Sequence, residues 1–340
     1  MGGAGEHEFG IVIPATSRHF HWLRGACASI RHFMSDTPIC VLLDDERYPH
    51  DLEATYGVRV LSRHDVEPKE LREASFGSTR AKLAALWAAP FETYLLLDCD
   101  TVVWGDMRRL ADFDRFDFLL DAPGREPLQA VMDVGAVERV VPGFSAGAHR
   151  NEYVNAGVYF GRRGLLDLDR YLELVALRRR YPGLLYGEQG FFNLMVFRGA
   201  DEGTIRLQQQ EIQVVVGRTD REELVRRFGF RDSEPEVIGE PVAIHWAATA
   251  KPTVRERHED YFAPMTYFRL RYRLESGRSA GRTAVIRLRL EDMLCADRRS
   301  PGARGRIERM RRRSRRLRER LKVRIRRRIP DRLMVAVRGR

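Results

Sequence analysis

Asp98 and Asp100 stand two residues apart, directly after the apolar run 93–97. Two carboxylates at that spacing make a hard oxygen site able to hold Mg²⁺ or Mn²⁺ against the phosphates of a nucleotide. Aspartate at a strand end also caps turns, so an isolated Asp-x-Asp leaves both readings open. If the strand stops at Leu97, the two side chains need not alternate across a sheet, and a turn can aim both at one point. A second string, Gly143-Phe144-Ser145-Ala146-Gly147, has the form of a hydrolase nucleophile elbow. An elbow needs a strand entering and a helix leaving, yet Pro142 interrupts the approach and 151–160 reads as another strand. A loop is therefore expected around Ser145. No G-x-x-x-x-G-K-[ST] and no G-x-G-x-x-G after a strand occurs.

The elements that must position the carboxylates read as alternating strands and helices. Strand patterns cover 9–14, 39–43 and 58–61, with helix patterns at 20–33 and 49–56 between them. Ser78 is placed to cap a helix reaching residue 89, with Leu83, Leu86 and Trp87 on one face and Pro90 ending it. The run 93–97 is apolar throughout, as in a buried central strand. Later strands are expected at 116–120, 154–160, 213–216 and 241–245, and helices at 165–180 and 188–197. The alternation predicts an α/β fold around a mostly parallel sheet, in which ligands collect at the carboxyl ends of strands.

With 340 residues, 44% hydrophobic and 31% charged, the chain has a sizeable folded body, which excludes a disulfide-stapled miniprotein. Its net charge of +11 is unevenly spread: residues 298–340 hold 20 Lys+Arg against 3 Asp+Glu, and the rest holds 39 against 45. A basic tail on a mildly acidic body directs only the tail to anionic surfaces. Along 304–329, Ile307, Met310, Leu317 and Leu321 form a thin apolar stripe among arginines, the pattern of an interfacial helix. The body carries no recognisable nucleic-acid motif, so nucleic acid is not the expected partner. Residues 276–282 read as a hinge. Cys27, Cys40, Cys99 and Cys295 show no C-x-x-C spacing, and the expectation is a reducing cytoplasm. No apolar run reaches the roughly 18–20 residues of a membrane span, and the first ten residues lack an apolar signal core.

The string Tyr94-Leu95-Leu96-Leu97-Asp98-Cys99-Asp100-Thr101-Val102-Val103-Trp104-Gly105-Asp106 resembles the metal-binding segment of GT-A fold glycosyltransferases, family 8 in particular. That family includes glycogenin-like and bacterial lipopolysaccharide galactosyltransferase-like enzymes. Three further segments resemble it in the same order: Asn155-Ala156-Gly157-Val158, then Glu188-Gln189-Gly190 with Asn193, then His245 followed six residues later by Lys251-Pro252. The resemblance covers about residues 8–265.

It implies a GT-A, Rossmann-like nucleotide-diphospho-sugar fold with a mixed sheet flanked by helices over 8–265; beyond it, composition and pattern lead to the expectation of a helical extension or hinge over 266–297 and the arginine-rich tail over 298–340. It further implies transfer of a hexose from a nucleotide donor such as UDP-glucose or UDP-galactose to a saccharide or lipid-linked acceptor, with retention of configuration. Asp98, Asp100 and His245 would hold Mn²⁺ (or Mg²⁺), the last through a neutral imidazole, while Lys251 would neutralise a diphosphate oxygen. Lys82 resembles the family's donor-contacting cation. Asn155, Ala156 and Gly157 are expected in a strand, where small residues admit a ligand and Asn155 offers donor and acceptor to sugar hydroxyls. Glu188 would bind donor-sugar hydroxyls, one methylene longer than the aspartate more usual there, and Gln189 would lie beside the anomeric carbon. Residues 14–16, with Thr16 the polar one, would approach the base; Asp44 and Asp45 could border that pocket. Asp106 and Asp133 read as sugar contacts or as turn carboxylates, and the Ser145 loop as acceptor-side. The body is expected at the inner membrane face, held by its tail. A sugar nucleotidyltransferase, or a binding protein on a degenerate nucleotide-sugar fold, are the alternatives.

Overall fold

Ile11, Val12 and Ile13 are all buried because the strand that carries them has neighbours on both edges and side-chain layers on both faces. The computed structural model describes residues 7–124, 126–247, 263–279 and 281–299. In chain order the elements are β1 (His7–Ala15), α1 (Phe20–Phe33), β2 (Ile39–Leu43), α2 (His50–Tyr56), β3 (Arg59–Ser62), α3 (Lys69–Ser75), α4 (Ala85–Ala88), β4 (Phe91–Leu97), β5 (Thr101–Trp104), β6 (Phe118–Leu120), α5 (Val134–Val140) and β7 (Val158–Arg162). They continue with α6 (Leu168–Arg180), α7 (Gly187–Asp201), β8 (Leu207–Gln209), β9 (Gln213–Val215), α8 (Arg221–Arg227), β10 (Phe230–Arg231), β11 (Glu234–Pro235), β12 (Val242–His245), α9 (Pro264–Glu275) and α10 (Gly281–Arg299).

The main sheet runs β3-β2-β1-β4-β7-β6-β8. β1 pairs parallel with β2, Ile11 opposite Ile39, and with β4, Ile11 opposite Leu95. β7 is antiparallel to both its neighbours, so the sheet is mixed, as expected for the fold class. The period of two divides the core cleanly. Ile11, Ile13, Leu95 and Leu97 point into one layer with Trp22, Leu23, Ala26, Met265, Phe268 and Tyr272, which seats α1 and α9 on that face. Val12, Tyr94 and Leu96 point into the other, against Leu71 of α3, Tyr171 of α6 and Phe192 of α7.

After β4 the chain leaves this sheet through Asp98-Cys99-Asp100 and enters a second one of order β5-β12-β9. There β12 pairs antiparallel with β5, His245 opposite Thr101, and parallel with β9, Ala243 opposite Gln213. The carboxylate pair is thus the junction of two sheets.

Two expectations about the elements change. Residues 79–89 form no continuous α-helix: Ser78 caps as expected, accepting from the Arg80 N–H at 3.2 Å, but a 3-10 turn, Thr79–Ala84, precedes the single turn of α4. Residues three apart eclipse in a 3-10 turn, which sets Thr79 and Lys82 along one edge. The strand expected from 154 begins only at Val158, for a reason that belongs to the site. The break expected at 276–282 overlaps the gap between α9, which ends at Glu275, and α10, which starts at Gly281. Ser145 lies in irregular chain after α5, with no strand before it.

The chain divides into two compact units, Met1–Leu288 and Arg289–Arg340. The first contains every strand described. In the second, the described residues are the end of α10; the 304–329 stripe lies outside the described residues, as does Lys251. Among the described residues, no helix is long and apolar enough to cross a membrane. Cys27, Cys40 and Cys99 are unbridged and buried.

Candidate active site

Backbone hydrogen bonds fix the junction on both sides. The Asp98 N–H donates to the Gly157 carbonyl at 2.7 Å, tying it to the start of β7, and the Trp246 N–H donates to the Asp100 carbonyl at 3.1 Å, tying it to the end of β12. Thr101 closes the turn, donating its N–H and its Oγ1 to the Asp98 carbonyl at 3.1 and 2.7 Å. Both carboxylates consequently face His245. Its Nε2 lies 3.6 Å from Asp100 Oδ1 and 3.7 Å from Asp98 Oδ2, and one ligand atom from each of the three residues falls within 4.8 Å of the others. These separations exceed a hydrogen bond. They suit a shared cation, since Mg²⁺-type bond lengths near 2.1 Å set neighbouring ligands roughly 3–4 Å apart.

Gly157 forms the floor. A Cβ there would meet His245 Cε1 at 2.3 Å and Asp98 Oδ2 and Asn155 Oδ1 at 2.8 Å each. Two carboxylates and one imidazole, with that floor kept bare, fit a hard divalent ion. His245 and Asp100 are almost fully buried, at 2% and 4% exposure, so the ion would be held largely away from solvent.

Lys82 comes in from the 3-10 turn. Its Nζ lies 2.7 and 2.9 Å from the two oxygens of Asp98 and 3.6 Å from Glu188. Burial opposes the charge on Lys82, but Asp98 first and Glu188 second outweigh it and hold the ammonium above the ordinary lysine value. For Glu188, burial raises the carboxyl, and Lys82, the local backbone and Thr79 together bring it below the usual range. Glu188 also stands in the first turn of α7, where the helix dipole favours negative charge. The result is a buried Asp98–Lys82–Glu188 chain of alternating charge partners.

Residues 154–156 lie against α7 in place of a strand. Gln189 and Asn193, four apart on one helix face, supply the partners a strand would have had. Gln189 Oε1 accepts from the Ala156 N–H at 2.9 Å; Asn193 accepts from the Val154 N–H and donates to the Val154 carbonyl, both at 3.0 Å. Asn155 Oδ1 takes the Gly157 N–H at 2.8 Å, closing a turn. This corrects the strand expected here and narrows two roles. The carbonyl oxygens of Asn155 and Gln189 are thus engaged by backbone N–H groups, and neither residue is among those lining the open cleft of Lys82, Asp98 and Glu188. Gly190 lets α7 approach, because a Cβ there would meet the Val131 carbonyl at 2.4 Å.

Pro14, Ala15, Thr16, Asp44, Thr79, Lys82, Asp98, Cys99, Asp100 and Glu188 line an open cleft of about 290 Å³, with His19 and Trp22 stacked at its edge. Thr16 Oγ1 lies 3.3 Å from His19 Nδ1. Asp44 accepts the Gly77 N–H and borders the cleft as expected, whereas Asp45 accepts the Ser17 N–H and is not among the lining residues. Asp106 and Asp133 are helix caps, accepting from the Arg108 and Ala136 N–H groups. Three contributors were missed in the sequence: Thr79, the buried Gln213, and Asp121, whose carboxylate accepts from the Ile212 and Gln213 N–H groups at 3.2 and 3.4 Å. Only Thr79 had a signal, its place three residues before Lys82.

No protein-family model matches the chain, and no curated protein matches it. Similar solved structures are glycosyltransferases. The chain is similar to the galactosyltransferase LgtC with donor and acceptor sugar analogs, at 16% identity and a TM-score of 0.47, over 80% of this chain and 98% of that one. It is similar to the glycosyltransferase GlyE of Streptococcus pneumoniae TIGR4, at 13% and 0.47, over 80% and 63%. It is also similar to glucosyl-3-phosphoglycerate synthase from Mycobacterium tuberculosis with Mn²⁺, UDP-glucose and phosphoglyceric acid, at 17% and 0.37, over 61% and 70%. At such identities and overlaps, function has to be read from this chain's own site.

Proposed function

We propose that the protein is a divalent-metal-dependent glycosyltransferase that moves a hexose from a nucleotide-diphosphate sugar, such as UDP-glucose or UDP-galactose, to a saccharide or lipid-linked acceptor. One observation carries this reading: Asp98, Asp100 and His245 converge, and the two aspartates line a cleft together with Thr16, Lys82 and Glu188. A nucleotide donor needs that sequence of chemistries, with a base pocket, a charge-neutralising centre at the diphosphate and hydrogen-bonding groups at the sugar.

Asp98, Asp100 and His245 would hold Mn²⁺ or Mg²⁺, which supplies Lewis-acid stabilisation of the departing diphosphate. Lys82, in contact with Asp98, adds a second positive charge beside the metal site. Glu188, held ionised by Lys82, accepts from sugar hydroxyls. The NH₂ groups of Asn155 and Gln189 donate to sugar oxygens, and the α7 clamp on residues 154–156 fixes their positions in advance, which favours transfer by orientation. Lys251 is proposed as a further diphosphate contact. Retention of configuration, with a donor phosphate oxygen taking the acceptor proton, belongs to the same reading. The same reading holds the protein at the cytoplasmic membrane face through residues 298–340, next to a lipid-linked acceptor.

The test is nucleoside diphosphate release from a panel of UDP-, GDP- and TDP-sugars with Mn²⁺, comparing wild type with Asp100→Asn. Release from one donor, abolished by chelation and reduced at least about a hundredfold in the variant, is expected if charge stabilisation at this site dominates. Folded wild-type protein that neither binds Mn²⁺ nor releases a nucleotide from any donor would exclude the reading.

A further inference from the structure

Gln213, the first residue of β9, is 4% exposed, and its amide touches two groups. Oε1 lies 2.8 Å from His245 Nδ1, and Nε2 lies 3.3 Å from the main-chain carbonyl of Asn155. A peptide carbonyl carries no proton and can only accept, so the amide end facing Asn155 must be the NH₂. The end facing the imidazole is then a carbonyl, which also only accepts. His245 Nδ1 must therefore carry the ring proton, and the neutral ring keeps its lone pair on Nε2. That is the nitrogen facing Asp98 and Asp100.

Strand pairing sets up this contact. Gln213 lies opposite Ala243, and His245 is two residues further along the same face of β12. The Asp121 carboxylate grips the Gln213 N–H from the end of β6. Without the amide, a neutral imidazole beside two carboxylates gains most by donating Nε2–H to one of them, and the ligand atom would become a proton donor.

We propose that Gln213 is a positioning residue that selects the His245 tautomer able to ligate a divalent cation, and that couples this ligand to the Asn155–Gly157 turn. The ion itself rests on the reading of the site given above. The tautomer is a property of the metal-free chain.

Three full-length chains with ¹⁵N-labelled histidine decide the matter at mildly alkaline pH: wild type, Gln213→Met and Gln213→Glu, with His245→Gln used to assign the ring signals. In metal-free wild type, His245 should show a protonated Nδ1 and a bare Nε2. Gln213→Met should shift the ring towards the other tautomer. Its Mn²⁺ affinity, read by the electron paramagnetic resonance of free Mn²⁺ without nucleotide, should fall about 10- to 100-fold, as when such outer partners of metal-bound histidines are lost. Gln213→Glu keeps an acceptor at Nδ1, so it should retain the tautomer and most of the affinity. Circular dichroism reports folding, and if Gln213→Met fails to fold, the wild-type and Gln213→Glu tautomers decide.

A protonated Nε2 in wild type would overturn the proposal, as would folded Gln213→Met binding Mn²⁺ within about twofold of wild type. Wild type that binds Mn²⁺ in the expected tautomer but uses no sugar nucleotide would sink the transfer reading and leave this one standing.

Discussion

The most exposed test of the metal site at the residue scale is Gly157, because its role is to be empty. Gly157→Ala puts a methyl 2.3 Å from His245 Cε1 and 2.8 Å from both Asp98 Oδ2 and Asn155 Oδ1. The imidazole must turn away or the junction must open. Mn²⁺ affinity should drop at least about tenfold, roughly 1.4 kcal/mol or more, in a protein whose circular dichroism is unchanged. At this scale the sequence was informative where residue type and flanking run together carried the signal. Asp98 and Asp100 follow the apolar strand β4 and His245 ends β12, so each lies where a strand-end ligand should lie. Gln213 sits in an ordinary strand string, Ile212-Gln213-Val214-Val215, and nothing in it distinguishes a structural amide from one aimed at a histidine. Only the pairing of β9 with β12 brings the two together.

At the scale of elements, the 165–180 helix begins at Leu168 because Asp167 caps it, accepting from the Asp169 and Arg170 N–H groups. That signal was present in the sequence. The 20–33 helix and the 39–43 strand appear with their expected bounds, since each has a clean apolar pattern between breakers. The 154–160 strand was overextended for a reason no pattern reveals: side chains of α7, distant in sequence, satisfy the backbone of residues 154–156. A similar side chain from afar, Asp121, brackets the start of β9. Burial pushes its carboxyl up to about 6, against the N–H groups of Ile212, Gln213 and Ala122, which lower it. A folded-state value above the unfolded one of 3.8 means that this group favours folding below about pH 4 and loses that contribution as pH rises through about 6. Asp121→Asn keeps an acceptor for both N–H groups and removes the charge. Its stability relative to wild type, from urea midpoints across that window, should rise with pH and level off above about 6, by at most about 3 kcal/mol. A flat difference would mean that the carboxyl is not held up by burial.

For the whole molecule, the charge distribution makes the sharpest claim. The tail carries a net +17 and the remainder −6. If residues 298–340 hold the protein at a membrane, each basic side chain near anionic lipid adds about 1 kcal/mol, so partial engagement is enough. The full chain should co-sediment with phosphatidylserine-containing vesicles and be released by salt, while a chain ending at Asp297 should stay in solution and keep its sugar-nucleotide activity. Equal sedimentation of both chains would remove the tail from the account, and preference of the full chain for RNA over vesicles would reassign it.

The candidate ligands come from two sheets, with Asp98 and Asp100 on the turn that leaves the large one and His245 on a strand of the small one. A cation bound by all three is therefore a cross-brace, and its binding energy is shared with whatever opening would separate the sheets. Amide exchange in β5 and β12 would slow before that in β2 and β3, and the small sheet would be the first part of the fold to sense depletion of the ion.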